Sequence, residues 1–268
     1  PSCSAMLPVW LTDTVTSDLH RALHYTLLWG LEGVELRTVG GEGDRVPQVN
    51  VVKIKRQLDA SEMLPAAVDP GMFEGPASRR VLWLNELATF DETLRLCERI
   101  GCPRVVVSAF ADEAEASLDY AVQALRRAGE AAARYGITVA VLNEAGMAHP
   151  TGAALAALLE AVDHPFVRAA WHPAQALRAG EDPLEGLDAL EGRIALVRCA
   201  DGRPTPVGWQ ELPFDEGAVG WEAQIEALRA QGFRGPLSLE VNVEPRPKVG
   251  LRSATRLVRL VRASRQAA

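Results

Sequence analysis

The sequence lacks the features that mark membrane-spanning, secreted and nucleic-acid-binding proteins. No apolar run approaches the roughly 20 residues that a membrane span requires. The first residues, PSCSAMLPVWLTD, contain no basic region followed by a long apolar stretch, so we expect no signal peptide and a cytoplasmic location. The 28 lysines and arginines are outnumbered by 35 aspartates and glutamates. This acidic balance argues against nucleic acid as a partner, because binding phosphates calls for a basic surface.

Cysteine is also scarce, and its spacing suggests no disulfide framework. The four cysteines form no CxxC pair, and Cys97 and Cys102 flank the end of one predicted helix. Thiols of cytosolic proteins seldom pair. We therefore predict that all four are reduced structural residues, namely Cys3, Cys97, Cys102 and Cys199.

Short apolar runs typical of strands alternate with longer runs of helical periodicity. Ser17 is the predicted N-cap of the first helix, and Gly30 and Gly136 follow the ends of two helices. The eight predicted strands cover residues 7–13, 33–39, 64–69, 104–110, 137–144, 167–172, 194–201 and 236–242. The predicted helices cover residues 17–29, 49–62, 82–100, 114–135, 152–162, 183–191, 220–231 and 252–265.

Eight strand-then-helix units predict an α/β fold, a single (β/α)₈ TIM barrel over residues 1–268. Apolar strands of this kind are buried on both faces of a parallel sheet. The rival architecture, an open doubly wound sheet, usually carries a GxGxxG turn after its first strand, and this turn is missing.

Polar residues follow or end the predicted strands, where barrels of this kind carry their functional groups. Glu144, His172, Arg198 and Glu240 end four consecutive predicted strands, so we expect them to converge. An unpaired guanidinium is costly to bury, so Arg198 requires carboxylate partners. Small residues on the same strand faces leave room for these larger side chains: Ala140, Ala170 and Ser238.

Four segments resemble the xylose-isomerase-like barrel superfamily of sugar isomerases and epimerases. GLEGVELR (30–37) resembles the second strand of that family, and CERIGCPRVVV (97–107) its third helix and fourth strand. AARYGITVAVLNE (132–144) resembles a fifth strand that ends in a glutamate ligand. The most specific segment covers residues 213–242 and again ends beside a glutamate.

The resemblance implies a site on strands five to eight, where family members bind one divalent metal through Glu, Asp, His and Glu. The matching residues here are Glu144, His172, Arg198 and Glu240, so both glutamates are kept and the two central ligands are replaced. Gln175 stands where relatives often place a histidine that contacts the substrate. These departures put the family's metal in question.

Arginine cannot be a metal ligand, because it remains protonated and offers only donors. Our hypothesis is a site without metal, in which Arg198 bridges Glu144 and Glu240 and a protonated His172 adds a second positive charge. The alternative is a divalent metal (Mn, Zn or Mg) held by Glu144, His172 and Glu240, with Arg198 turned aside.

The resemblance implies an isomerase or epimerase that moves a proton next to the carbonyl of a sugar-like substrate. Glu144 and Glu240 would act as acid and base, and Arg198 would stabilise the oxyanion. His172 and Gln175 would contact the substrate. Further residues expected to line the pocket and bind hydroxyl groups are Glu35, Arg37, Asp69, His149 and Arg203.

Two other function classes remain for comparison. The loss of two metal positions favours a barrel that has become a catalytically inactive binding or regulatory module, since fold alone does not decide function. Metal-dependent endonucleases of the same superfamily fit poorly, because this acidic chain has only five histidines. A homo-oligomer is left open, with three aromatic residues expected at the surface of a late loop: Trp209, Phe214 and Trp221.

Overall fold

Within the described residues, eight parallel strands close into a barrel surrounded by helices. The computed structural model describes residues 6–40, 44–113 and 118–266. The predicted (β/α)₈ barrel is confirmed, and every strand of the barrel pairs in parallel with its neighbours. The start of the helix predicted at 114, most of the Gly-rich loop and Cys3 lie outside the described residues.

The strands are shorter than predicted, so several polar residues lie just beyond them. The first and last strands of the barrel pair with each other and close it. The barrel strands are β1 (Leu7–Leu11), β2 (Gly33–Leu36), β3 (Leu64–Val68), β4 (Arg104–Ser108), β5 (Thr138–Leu142), β6 (Val167–Trp171), β7 (Ile194–Cys199) and β10 (Pro236–Leu239).

The helices pack their apolar faces onto the outside of the barrel. Asp18, rather than the predicted Ser17, caps the first helix by accepting a hydrogen bond from the Arg21 N–H. The helices are α1 (Leu19–Leu28), α2 (Val51–Ser61), α3 (Arg80–Ile100), α4 (Leu118–Ala133), α5 (Gly152–Val162), α6 (Pro173–Arg178), α7 (Pro183–Ala189), α8 (Trp221–Ala230) and α9 (Arg246–Gln266).

Two apolar clusters flank the strands, and the smaller one consists mostly of small strand residues. Ala140, Ala170 and Leu196 belong to this smaller cluster, whereas neighbours such as Val141 and Trp171 belong to the larger one. Alternate strand residues point to opposite sides, so the smaller cluster fills the barrel interior. Its small side chains leave room for polar groups above them.

A β-hairpin follows β7, where a long loop was predicted from the sequence. Its strands are β8 (Asp201–Thr205) and β9 (Gly208–Leu212), which pair in antiparallel orientation. Pro204 lies within this ribbon and Pro206 at its turn. Prolines favour a loop prediction but are tolerated at the edge of a sheet. The short helix α6 was also missed.

Two of the three aromatic residues predicted at the surface are buried. Phe214 is 3% exposed and Trp221 is fully buried, with their ring centroids 4.8 Å apart. The indole N–H of Trp221 donates to the carbonyl of Ala200, which ties α8 to the end of β7. The three described cysteines are free and buried, and no helix of the described chain is long and apolar enough to cross a membrane.

Candidate active site

A cavity of about 400 Å³ opens at the C-terminal ends of the barrel strands. Its volume falls within the range of small-molecule sites. Glu144, His172, Arg198 and Glu240 all line it, so the structure brings together the four residues from β5, β6, β7 and β10. Each lies in or within two residues of its strand, which fixes its position at the barrel mouth.

Arg198 is held in a buried network that differs from the predicted one. Its Nη2 lies 2.5 Å from Glu35 Oε1, and its Nη1 lies 3.3 Å from Glu240 Oε2. The second oxygen of Glu35 accepts a hydrogen bond of 2.5 Å from the Ser238 hydroxyl. The prediction that Arg198 bridges Glu144 and Glu240 is therefore wrong in one partner, because Glu35 takes the place of Glu144.

The exposure of these side chains explains the exchange of partners. Arg198 is 2% exposed and Glu35 is fully buried, so each requires the other's charge. Burial raises the pKa of Glu35, and the charge of Arg198 opposes that shift. Glu144 is exposed, and its side chain makes no hydrogen bond or ion pair within the described residues. Its carboxylate is thus free at the cavity wall.

Glu240 is held in its ionised form. Its Oε2 lies 3.5 Å from His172 Nε2, and its Oε1 accepts a hydrogen bond from the Asn242 side chain. Burial alone would raise the Glu240 pKa, but His172 and Arg198 outweigh burial and hold that pKa well below its usual range. A carboxylate of such low basicity is a weak proton acceptor.

Glu240→Gln should cost more stability at neutral pH than at acid pH. A carboxyl group whose pKa is lower in the folded chain adds stability above its unfolded pKa, and loses it as the pH falls through the folded pKa. We expect the difference in free energy of unfolding between the native protein and E240Q to shrink from neutral pH to about pH 3. Urea unfolding at both pH values measures this difference. A constant or growing difference toward acid pH would contradict the low pKa of Glu240.

Asn143 fixes the backbone at the C-terminal ends of the neighbouring strands β5 and β6. It is fully buried, and its side-chain oxygen accepts from the His172 N–H at 2.8 Å. Its amide nitrogen donates to the carbonyls of His172 and Pro150. Asn143 directly precedes Glu144, so one amide fixes the backbone beside both site residues. Asn143 was not among the site residues predicted from the sequence, although it lies next to Glu144.

Asn143→Ala is expected to lower the free energy of unfolding by about 1–3 kcal/mol, because it leaves a buried N–H and buried carbonyl groups without partners. Denaturant unfolding measures this loss. Asn50→Ala, which removes a cap at the exposed start of α2, serves as the comparison, with an expected cost of about 1 kcal/mol. A smaller loss in N143A than in N50A would show that the Asn143 contacts contribute little.

The other predicted pocket residues divide into two groups. Arg37, Asp69 and Gln175 line the cavity, and the Gln175 side chain also accepts from the Ala145 N–H. Three of the predicted pocket residues are not among the described residues that line the cavity. These are Glu35, which is fully buried against Arg198, half-buried His149, and Arg203, which lies exposed on the hairpin and bonds to Gln210.

Two charged lining residues were missed because they lie on loops without a recognisable pattern. Arg45 follows the Gly-rich loop, and its Nη2 lies 3.2 Å from Asp69 Oδ1 and 3.5 Å from Glu74 Oε1. Glu74 lies in the loop between β3 and α3. Gly71 has a left-handed backbone conformation, and the absence of a side chain there makes room for Arg45. A Cβ on residue 71 would lie 2.5 Å from Arg45 Nη2.

The side chains at the cavity do not fit the divalent metal that the resemblance implies. In the described chain, no three His, Cys, Asp or Glu side chains are grouped as metal ligands. The guanidinium of Arg198 already contacts Glu240, one of the carboxylates that such an ion would need. Turning Arg198 aside would leave Glu35 buried without its ion-pair partner, at a cost of several kcal/mol.

The closed parallel barrel, with polar side chains gathered at its C-terminal mouth, is the arrangement of a TIM-barrel protein with a small-molecule site. The chain belongs to the xylose isomerase-like TIM barrel family, whose model matches residues 24–260. The resemblance drawn from the sequence is thereby confirmed. No curated protein matches the chain by sequence.

Solved structures share the whole fold at low sequence identity. A xylose isomerase domain protein from Planctomyces limnophilus has a TM-score of 0.78 and 18% identity, over 99% of this chain and 100% of that chain. An L-ribulose 3-epimerase has a TM-score of 0.80 and 14% identity, over 98% and 96% of the two chains. A D-allulose 3-epimerase from Methylomonas sp., in complex with D-allulose, has a TM-score of 0.76 and 14% identity, over 96% and 98%. These likenesses concern the fold.

Proposed function

We propose that this protein is an isomerase of a sugar-like hydroxycarbonyl compound, with Arg198 in place of a divalent ion. The observation that carries the proposal is the cavity that joins an unpaired carboxylate, Glu144, to a fixed cation, Arg198. A proton carrier and a positive charge at one site are the two parts that proton transfer next to a carbonyl requires. The family membership and the two similar epimerases support this reaction class.

In this proposal Glu144 carries the proton. Its carboxylate removes a proton from the hydroxyl-bearing carbon next to the carbonyl and returns it to the former carbonyl carbon, while the proton of that hydroxyl group moves to the former carbonyl oxygen. The negative charge that develops on the substrate oxygen is stabilised by Arg198 and His172. Two buried nitrogens of these residues, Arg198 Nε and His172 Nδ1, have no hydrogen-bond partner within the described part of the chain. Buried polar groups of this kind call for a partner, and because both atoms have almost no accessible surface, a substrate oxygen would reach them only after neighbouring side chains move.

Glu240 takes a different role from the one first assigned to it. Because its pKa is held low, it is a poor proton carrier, but it stays ionised and can accept a hydrogen bond from a substrate hydroxyl. It also fixes His172 and Arg198 in place. A single proton carrier suits an aldose–ketose isomerisation, in which one group serves two adjacent carbons. Epimerisation commonly needs a second carrier on the opposite face, so we favour isomerase over epimerase.

Solvent exchange tests the proposal without knowledge of the natural substrate. The purified protein, treated with a chelator, is incubated in D₂O with D-fructose or D-allulose as probes, and proton NMR follows the signals next to the carbonyl. We expect deuterium to enter these positions. Exchange that appears only after Mn²⁺, Zn²⁺ or Mg²⁺ is added would overturn the role of Arg198. Absence of exchange with both probes under all these conditions would contradict the isomerase proposal.

The second candidate is a barrel that binds a small molecule without reacting with it. The buried ion pair of Glu35 and Arg198 favours this candidate. Glu240 also contacts Arg198, so it has a structural role even in a protein without catalysis. Binding of a probe sugar without deuterium exchange would support this candidate.

A further inference from the structure

Negative charge exceeds positive charge around the cavity. Three arginines and four carboxylates line it, and two more carboxylates contact the arginines from outside the lining. The six carboxylates are those of Asp13, Glu35, Asp69, Glu74, Glu144 and Glu240. Even if Glu35 is protonated and His172 carries a charge, five carboxylates face four cations, and one negative charge remains.

Each arginine at the cavity already has a carboxylate partner. Arg37 makes a bidentate pair with Asp13 at 2.8 and 2.9 Å, and Arg45 contacts both Asp69 and Glu74. Arg198 contacts two carboxylates as described above. A phosphate or carboxylate of a ligand would have to compete with these partners for the guanidinium groups. The net negative charge around the cavity would also repel it.

Glu144 is the carboxylate without a cation. Its carboxylate makes no ion pair or hydrogen bond in the described part of the chain, and Glu144 lies at the cavity wall. An ammonium group of a ligand about 4 Å from Glu144 would be attracted by a charge that no arginine neutralises, without occupying the oxygens that the proposed proton transfer uses. The neutral polar groups at the wall, Ser108 and Gln175, suit the hydroxyl groups of such a ligand.

We propose that the cavity takes an amino-substituted polyhydroxy compound and rejects phosphorylated ones. The sugar-like frame of the ligand rests on the proposed function, whereas the charge preference rests on the ion pairs alone. Two opposite charges about 4 Å apart in water gain roughly 1 kcal/mol, which corresponds to about a fivefold change in affinity. The cationic ligand therefore gains affinity relative to its neutral counterpart, and the phosphorylated ligand loses it.

A series of three matched probes tests the proposal: D-glucosamine, D-glucose and D-glucose 6-phosphate. Their dissociation constants are measured by NMR titration at low ionic strength and about pH 6, where an amine of this kind is protonated. D-glucosamine is expected to bind roughly fivefold more tightly than D-glucose, and the phosphate more weakly than both. High salt should reduce these differences, since it screens exposed charges.

Two variants locate the preference. Glu144→Gln should remove most of the advantage of D-glucosamine over D-glucose, whereas Glu130→Gln, at an exposed position on α4, should leave it unchanged. Tighter binding of D-glucose 6-phosphate or inorganic phosphate than of D-glucose would overturn the proposal, as would failure of D-glucosamine to bind. Binding in the expected order without deuterium exchange would contradict the isomerase function alone.

Discussion

Glu144→Gln is expected to slow proton exchange on a substrate roughly 100- to 10,000-fold, the usual contribution of a positioned acid or base. The amide has nearly the same shape as the carboxylate but cannot take up a proton. Because Glu144 is exposed and has no partner within the described residues, the variant should fold as the native protein does, with a change in stability within about 0.5 kcal/mol. The loss should therefore appear in kcat rather than in the amount of folded protein.

The measurement is the rate of deuterium incorporation from D₂O, with thermal unfolding recorded on the same samples. Glu130→Gln, the same chemical change at an exposed site on α4, is the control and should retain the native rate. An E144Q rate equal to that of the native protein would remove Glu144 from the mechanism.

Arg198→Met is expected to lower the free energy of unfolding by about 3–5 kcal/mol. The substitution keeps an unbranched apolar chain but removes the guanidinium. Glu35, which is fully buried, is then left without the positive charge it faces, and Glu240 loses one of its partners. Removing one member of a buried ion pair is costly, because the remaining charge is desolvated and uncompensated.

A second variant separates the ion pair from simple packing. In R198M/E35Q the buried carboxylate is gone and the amide can still bond to Ser238, so most of the lost stability should return. Arg252→Met breaks an exposed pair with Glu216 and should cost about 1 kcal/mol or less. If R198M is no less stable than R252M, or if E35Q does not restore it, the buried pair is not a stabilising unit.

The fold could be predicted from the sequence because its signals are local. Runs such as Val105–Val107 and Val139–Val141 are apolar on both faces, as buried parallel strands require, and eight such runs suit a closed barrel. The position of Glu144, His172 and Glu240 at the mouth followed from the same pattern, since each comes within two residues of the end of an apolar strand.

The partner of Arg198 could not be predicted, because it depends on how the barrel closes. Glu35 is 163 residues away in sequence, and it reaches Arg198 because β1 separates β2 from β10 and β10 adjoins β7. Strand register of this kind is set by the whole barrel and not by any one segment. The need of Arg198 for carboxylate partners could therefore be predicted from the sequence, but Glu144 was predicted in place of the more distant Glu35.

Loop residues escaped prediction for a different reason. Arg45 and Glu74 reach the cavity from segments with no apolar periodicity, and the hairpin of β8 and β9 contains prolines that favour a loop. Phe214 and Trp221 were expected at the surface of a late loop, yet both are buried and pack on each other.

The contacts among Glu35, Ser238 and Arg198 lie across the seam where the first and last strands of the barrel meet. Ser238 and Glu35 are separated by 203 residues in sequence, so their bond joins the two ends of the chain. Contacts of such high sequence separation slow folding, because the entropy cost of closing a long loop is paid before they form. The cavity therefore acquires its fixed cation only when the C-terminal strand docks, and a growing chain that lacks this strand carries the residues of the site without its geometry.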